Sequence, residues 1–226
     1  GDQECRRRAE DLPNRWGHQA GQTCCGLGGC HASARVPQEL RGEEIYKITL
    51  DKRLTASADY LRGAFYWHID GYLSPMPIRA SLLASKVLSP PGTGNTEYAN
   101  CYAAYEALSA EDKALLEGLT AVHSLAGSML YPDPQPTYES WKEWRAIGRK
   151  ELPLVWTHRS GRKSLVIGNS ASAVLSMDPL DGTELLIRLR DFATRDEFTY
   201  SHEWKVGDCV MWDNTGTLHR ATQYPL

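Results

Sequence analysis

Nothing in this chain comes near the roughly 18–20 consecutive apolar residues that a helix needs to cross a bilayer, so no membrane role is expected. Positive charge is not in excess either. Lys and Arg number 25 against 28 Asp and Glu, a net charge of −3 with a pI near 6.2, which removes the electrostatic footing for nucleic-acid binding. The opening stretch GDQECRRRAEDLPNRWGHQ has basic residues without the apolar segment that a secretory signal places after them, so a cytoplasmic setting is expected. That setting argues against a disulfide framework for the six cysteines. Internal repeats are lacking too.

Four of the cysteines (Cys5, Cys24, Cys25 and Cys30) crowd the first 30 residues. The stretch CCGLGGCH could offer zinc three thiols and His31, but adjacent cysteines and a five-residue step do not match the paired spacing of structural zinc sites. Residues 1–42 show neither helical nor strand periodicity and are expected to form an irregular, Cys- and Gly-rich leader.

From Glu43 the texture changes, and residues 43–226 are long enough to bury one substantial core. EEIYKITL alternates as a strand does, and LPLVWTH, RKSLVIGN and DEFTYSHEWKVGDCVMWDN are strand-like as well. RASLLASKVLS is apolar enough for a strand or a helix. Helical texture is clearest after Ser109, where Glu111 and Asp112 follow a capping serine and Leu115, Leu116 and Leu119 are expected on one face. A second helix is expected around Leu185, Leu186, Leu189 and Phe192. Residues 131–153 hold four of the twelve prolines and are expected to be a surface excursion with a short helix near Trp141 and Trp144. The fold class is therefore mainly β with flanking helices.

The chemistry starts at YWHIDGY, residues 66–72. On a strand, His68 and Asp70 point to one face and Ile69 to the other. An imidazole beside a carboxylate is either a chance polar face or part of a metal site, which would need a second histidine late in the chain. His123, His158, His202 and His219 are the candidates. His219 is the strongest, because a strand (CVMW) runs into a turn (DNTG) and the chain then returns toward the sheet. Two histidines and one carboxylate leave coordination positions open, which suits non-haem Fe(II), although Mn or Zn could also be held.

Four motifs in order, WHID, GTGNTEYANCYAAYEAL, THRSGRKSLVIGN and GDCVMWDNTGTLHRA, resemble the TauD/TfdA-like family of Fe(II)- and 2-oxoglutarate-dependent dioxygenases. The resemblance runs from about Glu43 to the end of the sequence. It implies a double-stranded β-helix (jelly roll), with His68, Asp70 and His219 as iron ligands and Thr96 contacting 2-oxoglutarate. It also implies hydroxylation of an unactivated C–H bond of a small organic substrate, anionic ones among the candidates, consuming O2 and giving succinate and CO2. Tyr72, His123 and Ala171 are the substrate-side residues that it suggests. Ser170, Ala171 and Ser172 are small where the taurine enzyme carries an aromatic, so taurine is not expected.

The sequence departs from the family in two places. Relatives carry an arginine for the distal carboxylate of 2-oxoglutarate downstream of the second histidine, and this sequence runs only seven residues past His219. It therefore reads as lacking its final C-terminal segment. Arg220, next to a ligand on a strand, should face away from the metal and is no substitute. Residues 1–42, in turn, do not match the family's opening strands. The alternatives are a catalytically impaired jelly-roll protein that binds metal or ligand, and an interaction module organised by the cysteine-rich leader. A homo-oligomer is compatible with either reading.

Overall fold

The structure is a computed structural model that describes residues 23–26, 45–48 and 58–224. Its strands are short and fall into four sheets. In the first, β3 (Ala80–Ala84) lies antiparallel to β11 (Cys209–Asp213) and parallel to β1 (Thr23–Gly26), which is itself parallel to β2 (Ile45–Ile48). In the second, β4 (Thr96–Asn100) is flanked antiparallel by β10 (Thr199–His202) and β12 (Thr217–Ala221). The third places β5 (Thr120–Ser124) between β6 (Arg149–Pro153) and β9 (Ala171–Val174), and β7 (Val155–Thr157) pairs with β8 (Lys163–Leu165). Among the described residues no helix is long and apolar enough to cross a membrane.

Helices form where the sequence supplies caps. After α1 (Ala58–Leu61), α2 (Cys101–Ala107) begins at Asn100, whose side chain accepts from the N–H groups of Tyr102 and Ala103. Ser109 caps α3 (Ala110–Leu116) through the Asp112 N–H, as its spacing predicts. Next come α4 (Leu125–Met129) and α5 (Tyr138–Ala146), then α6 (Pro179–Ala193), with Asp178 as cap and Pro179 in the first turn. Leu185, Leu186 and Leu189 of α6 are buried at the spacing read from the sequence.

Three expectations are corrected. Thr23–Gly26 is a strand within the stretch expected to be irregular; it is held between two parallel neighbours by backbone pairing, which needs no alternating side chains. The other residues of that stretch, Cys5, Cys30 and His31 among them, lie outside the described residues. Arg149–Pro153, expected in a surface excursion, pairs along β5 as an edge strand with its proline at the end. Leu115 is half-exposed while Leu116 is buried, because α3 stops at Leu116 and the neighbouring side chain is rotated about 100° away. Leu119 lies past the helix and packs partly against the core.

Two apolar clusters frame the functional region. The larger joins Ala104, Leu116, Leu165, Leu185, Leu189 and Leu218 beneath α2 and α6. The smaller joins Ile48, Leu61, Leu83, Tyr98, Trp204 and Trp212. Strand β12 borders both: Leu218 enters the larger cluster, and the next residue, His219, packs against Trp212 and Tyr98 of the smaller.

Candidate metal centre

The segment bearing His68 is not a regular strand. A 3-10 turn, Arg62–Phe65, delivers the chain to one antiparallel bridge in which His68 and His219 exchange both backbone hydrogen bonds at 3.0 Å. Past it, Gly71 adopts φ +60° and turns the chain away; a Cβ there would fall within 2.8 Å of the Ile78 side chain. On the other side, Gly168 (φ +127°) lets backbone lie against the ligand segment, since a Cβ would sit 3.1 Å from the Trp67 carbonyl oxygen. The Asn169 N–H donates to that oxygen at 2.8 Å.

Three side chains converge here. His68, Asp70 and His219 are all buried, and one nitrogen or oxygen of each lies within 4.8 Å of the others. Asp70 Oδ1 is 3.4 Å from His219 Nε2 and 3.9 Å from His68 Nε2. The remaining heteroatoms are largely spoken for. His68 Nδ1 sits 2.8 Å from the Tyr66 carbonyl, to which it donates as the N–H tautomer, leaving Nε2 with its lone pair. Ser81 Oγ donates to Asp70 Oδ2 at 2.6 Å, leaving Oδ1. Asp70 Oδ1 and His219 Nε2 are buried with no hydrogen-bond partner, a costly arrangement unless something else satisfies them. Two imidazoles and a carboxylate with those atoms aimed together fit a divalent first-row metal with open positions.

The other expected residues divide. Thr96 is buried on β4 opposite Ala221, two positions from the Tyr98–His219 pair and therefore on the same face. Its Oγ1 accepts from Trp204 Nε1 at 2.9 Å. Tyr72 lines a recess with His68, Ser128, Met129 and Asn169, and burial pushes its phenol up to about 12, against the pull of the Ser128 hydroxyl 3.4 Å away. His123 and Ala171 are not brought to this recess. His123 is fully buried on β5 with Nδ1 2.9 Å from Ser170 Oγ; burial pushes its imidazole down to about 4, with a hydrogen bond to the Val166 backbone pulling the other way. Ala171 belongs to the larger apolar cluster. Arg220 pairs with Glu97 at 2.6 Å and lies over the Trp67 ring.

Ser81, Trp204 and Asn214 were missed from the sequence. Asn214 accepts from the Asp70 N–H and donates to the Asp70 carbonyl, both at 2.9 Å. Its only signal was its place in the WDN turn, which a capping residue explains equally well.

A mainly β chain with a buried two-histidine, one-carboxylate cluster belongs to the class of proteins equipped to hold a divalent metal with positions left open. Within that class the family is defined: residues 22–225 match the family described as "Taurine catabolism dioxygenase TauD, TfdA family", and the chain belongs to it. It is 42% identical over 162 residues to the alpha-ketoglutarate-dependent 2,4-dichlorophenoxyacetate dioxygenase of Cupriavidus pinatubonensis, an alignment covering 71% of this chain and 55% of that protein. It is 34% identical over 202 residues to the (S)-phenoxypropionate/alpha-ketoglutarate-dioxygenase of Sphingobium herbicidovorans, covering 84% and 70%. The crystal structure of AAD-2 in complex with Mn(II) and N-oxalylglycine superposes with a TM-score of 0.66 at 39% identity, over 72% of this chain and 63% of that one. The chain thus spans little more than half the length of the first of these relatives.

Proposed function

We propose that this chain carries the core of an Fe(II)- and 2-oxoglutarate-dependent dioxygenase on a double-stranded β-helix, hydroxylating an unactivated C–H bond of a small organic substrate. O2 is the oxidant, with succinate and CO2 as co-products. The observation that carries this reading is the convergence of His68 Nε2, Asp70 Oδ1 and His219 Nε2 in a buried cluster, with His68 Nδ1 and Asp70 Oδ2 hydrogen-bonded and the His219 backbone paired with that of His68. The relatives' names supply the cosubstrate, alpha-ketoglutarate, and the scale of substrate, aryloxy acids.

Fe(II) with 2-oxoglutarate would supply the O2 activation that side chains cannot. The chain's own part is orientation and exclusion of water. His68, Asp70 and His219 would hold the metal with two neutral imidazoles and one negative charge. Thr96, on the same strand face as the Tyr98–His219 pair, would contact the cosubstrate carboxylate through its hydroxyl, whose oxygen the Trp204 N–H holds in place. Tyr72, a neutral phenol, presents a hydroxyl at the recess beside His68. The rings of Trp212 and Tyr98 close off the far side of His219.

The test is anaerobic addition of Fe(II) and 2-oxoglutarate to the purified chain, read as a weak visible charge-transfer band. A band that needs both additions and is absent from His68→Ala is expected. Iron retained without a band would overturn cosubstrate binding.

A further inference from the structure

Resting on that reading, we propose that Asn214 is a positioning residue for the metal centre: its carboxamide stands in for a missing strand and sets the backbone of Asp70 where the carboxylate meets the two histidines. Strand β12 reaches the ligand segment only at the His68–His219 bridge. Two residues on, the chain is already entering the Gly71 turn, and Asp70 is buried with no strand paired to it among the described residues. Its N–H and C=O would be costly orphans there. A carboxamide carries the same acceptor and donor as a peptide group. Asn214 Oδ1 accepts from the Asp70 N–H at 2.9 Å, and Nδ2 donates to the Asp70 carbonyl at 2.9 Å and to the Ile78 carbonyl at 3.2 Å.

Asn214 is held in its turn. It is itself buried, and its N–H donates to the Arg79 carbonyl at 2.9 Å. Asp213 Oδ1 takes both the N–H and the hydroxyl of Thr215. Gly216 admits the Tyr102 ring, which a Cβ would strike at 1.8 Å, and Tyr102 donates to Asp213 Oδ2 at 2.7 Å. This turn leads directly into β12 and His219. One rigid turn therefore fixes a histidine ligand through the chain and the carboxylate ligand through a side chain. Ser81 orients the carboxylate itself, while Asn214 orients the backbone that bears it.

Co(II) binding to the full chain tests this without turnover, by titrated affinity and visible ligand-field spectrum. Asn214→Asp keeps the size and the acceptor but removes both N–H donors. It should weaken Co(II) about 10–100-fold, the usual cost of losing an outer partner of a metal ligand, and alter the spectrum. Leu189→Ala, in the larger apolar cluster away from the metal ligands, is the control: it lowers the melting temperature and leaves Co(II) affinity and spectrum as in the wild type. Should Asn214→Asp fail to fold, Asn214→Ser at a temperature where circular dichroism shows it folded should be weakened likewise. Wild-type affinity and spectrum in a folded Asn214 variant would overturn the proposal. A wild-type chain that binds no Co(II) would instead overturn the metal-site reading beneath it.

Discussion

Among the described residues two regions bury histidine, and they are built for opposite ends. Around His68 and His219 the imidazoles stand 4.1 Å apart between ring centroids, share a carboxylate, and reach each other through a backbone bridge. On β5, His123 is equally buried but meets a serine hydroxyl and the Val166 backbone, with Tyr72 the ring beside it at 6.1 Å. Burial alone makes an imidazole neutral. It takes a second imidazole and a carboxylate converging on one point to make buried imidazoles into a ligand set.

The largest contrast comes from deletion. Asp70→Ala or His219→Ala should lower Mn(II) affinity by more than the roughly 100-fold that marks the upper range for outer partners of a ligand. His123→Ala should change it less than about twofold. Titration followed by electron paramagnetic resonance reads both, and equal losses at the two regions would erase the distinction.

Acid separates the regions next. His123 has a folded pKa of about 4 against an ordinary 6.5, so below 6.5 the unfolded chain binds the proton and the folded chain resists it. Stability is therefore complete above pH 6.5 and is lost as pH falls through the window down to 4, by about 3 kcal/mol in all. Urea unfolding of the wild type and His123→Gln across pH 7.5 to 4 should give a difference that shrinks by about that amount. A constant difference would mean that His123 does not titrate on unfolding.

How much of this was legible beforehand follows the range of each interaction. His68 and Asp70 are two apart and the His219 motif runs strand, turn, return, so local spacing nominated the three residues and the four-motif resemblance joined them as a ligand set. The α6 face and the Ser109 cap were legible for the same reason. Ser81 and Asn214 act on Asp70 across 11 and 144 residues, and a serine in an apolar strand or an asparagine in a turn carries no local mark of that. Strand β1 was invisible because its four residues show no alternation in the sequence, and β6 because its exposed edge resembles a loop. His123 was named from its position after a helical stretch, and the register of β5 sets it against β9 and Ser170, one ring from Tyr72.

The finest test uses the two serines. Each places a hydroxyl on a buried ionisable group, Ser81 on Asp70 Oδ2 at 2.6 Å and Ser170 on His123 Nδ1 at 2.9 Å. Ser81→Ala frees a carboxylate oxygen beside the metal ligands, so the carboxylate can swing and Mn(II) affinity should fall about tenfold. Ser170→Ala removes a similar bond where no metal ligand depends on it. Its cost should appear only in stability, about 1 kcal/mol by urea unfolding, with Mn(II) affinity unchanged. The two readouts should therefore cross: affinity responds to Ser81, and Ser170 moves stability alone. Loss of Mn(II) affinity in Ser170→Ala would tie β5 and β9 mechanically to the metal centre and merge the two regions into one.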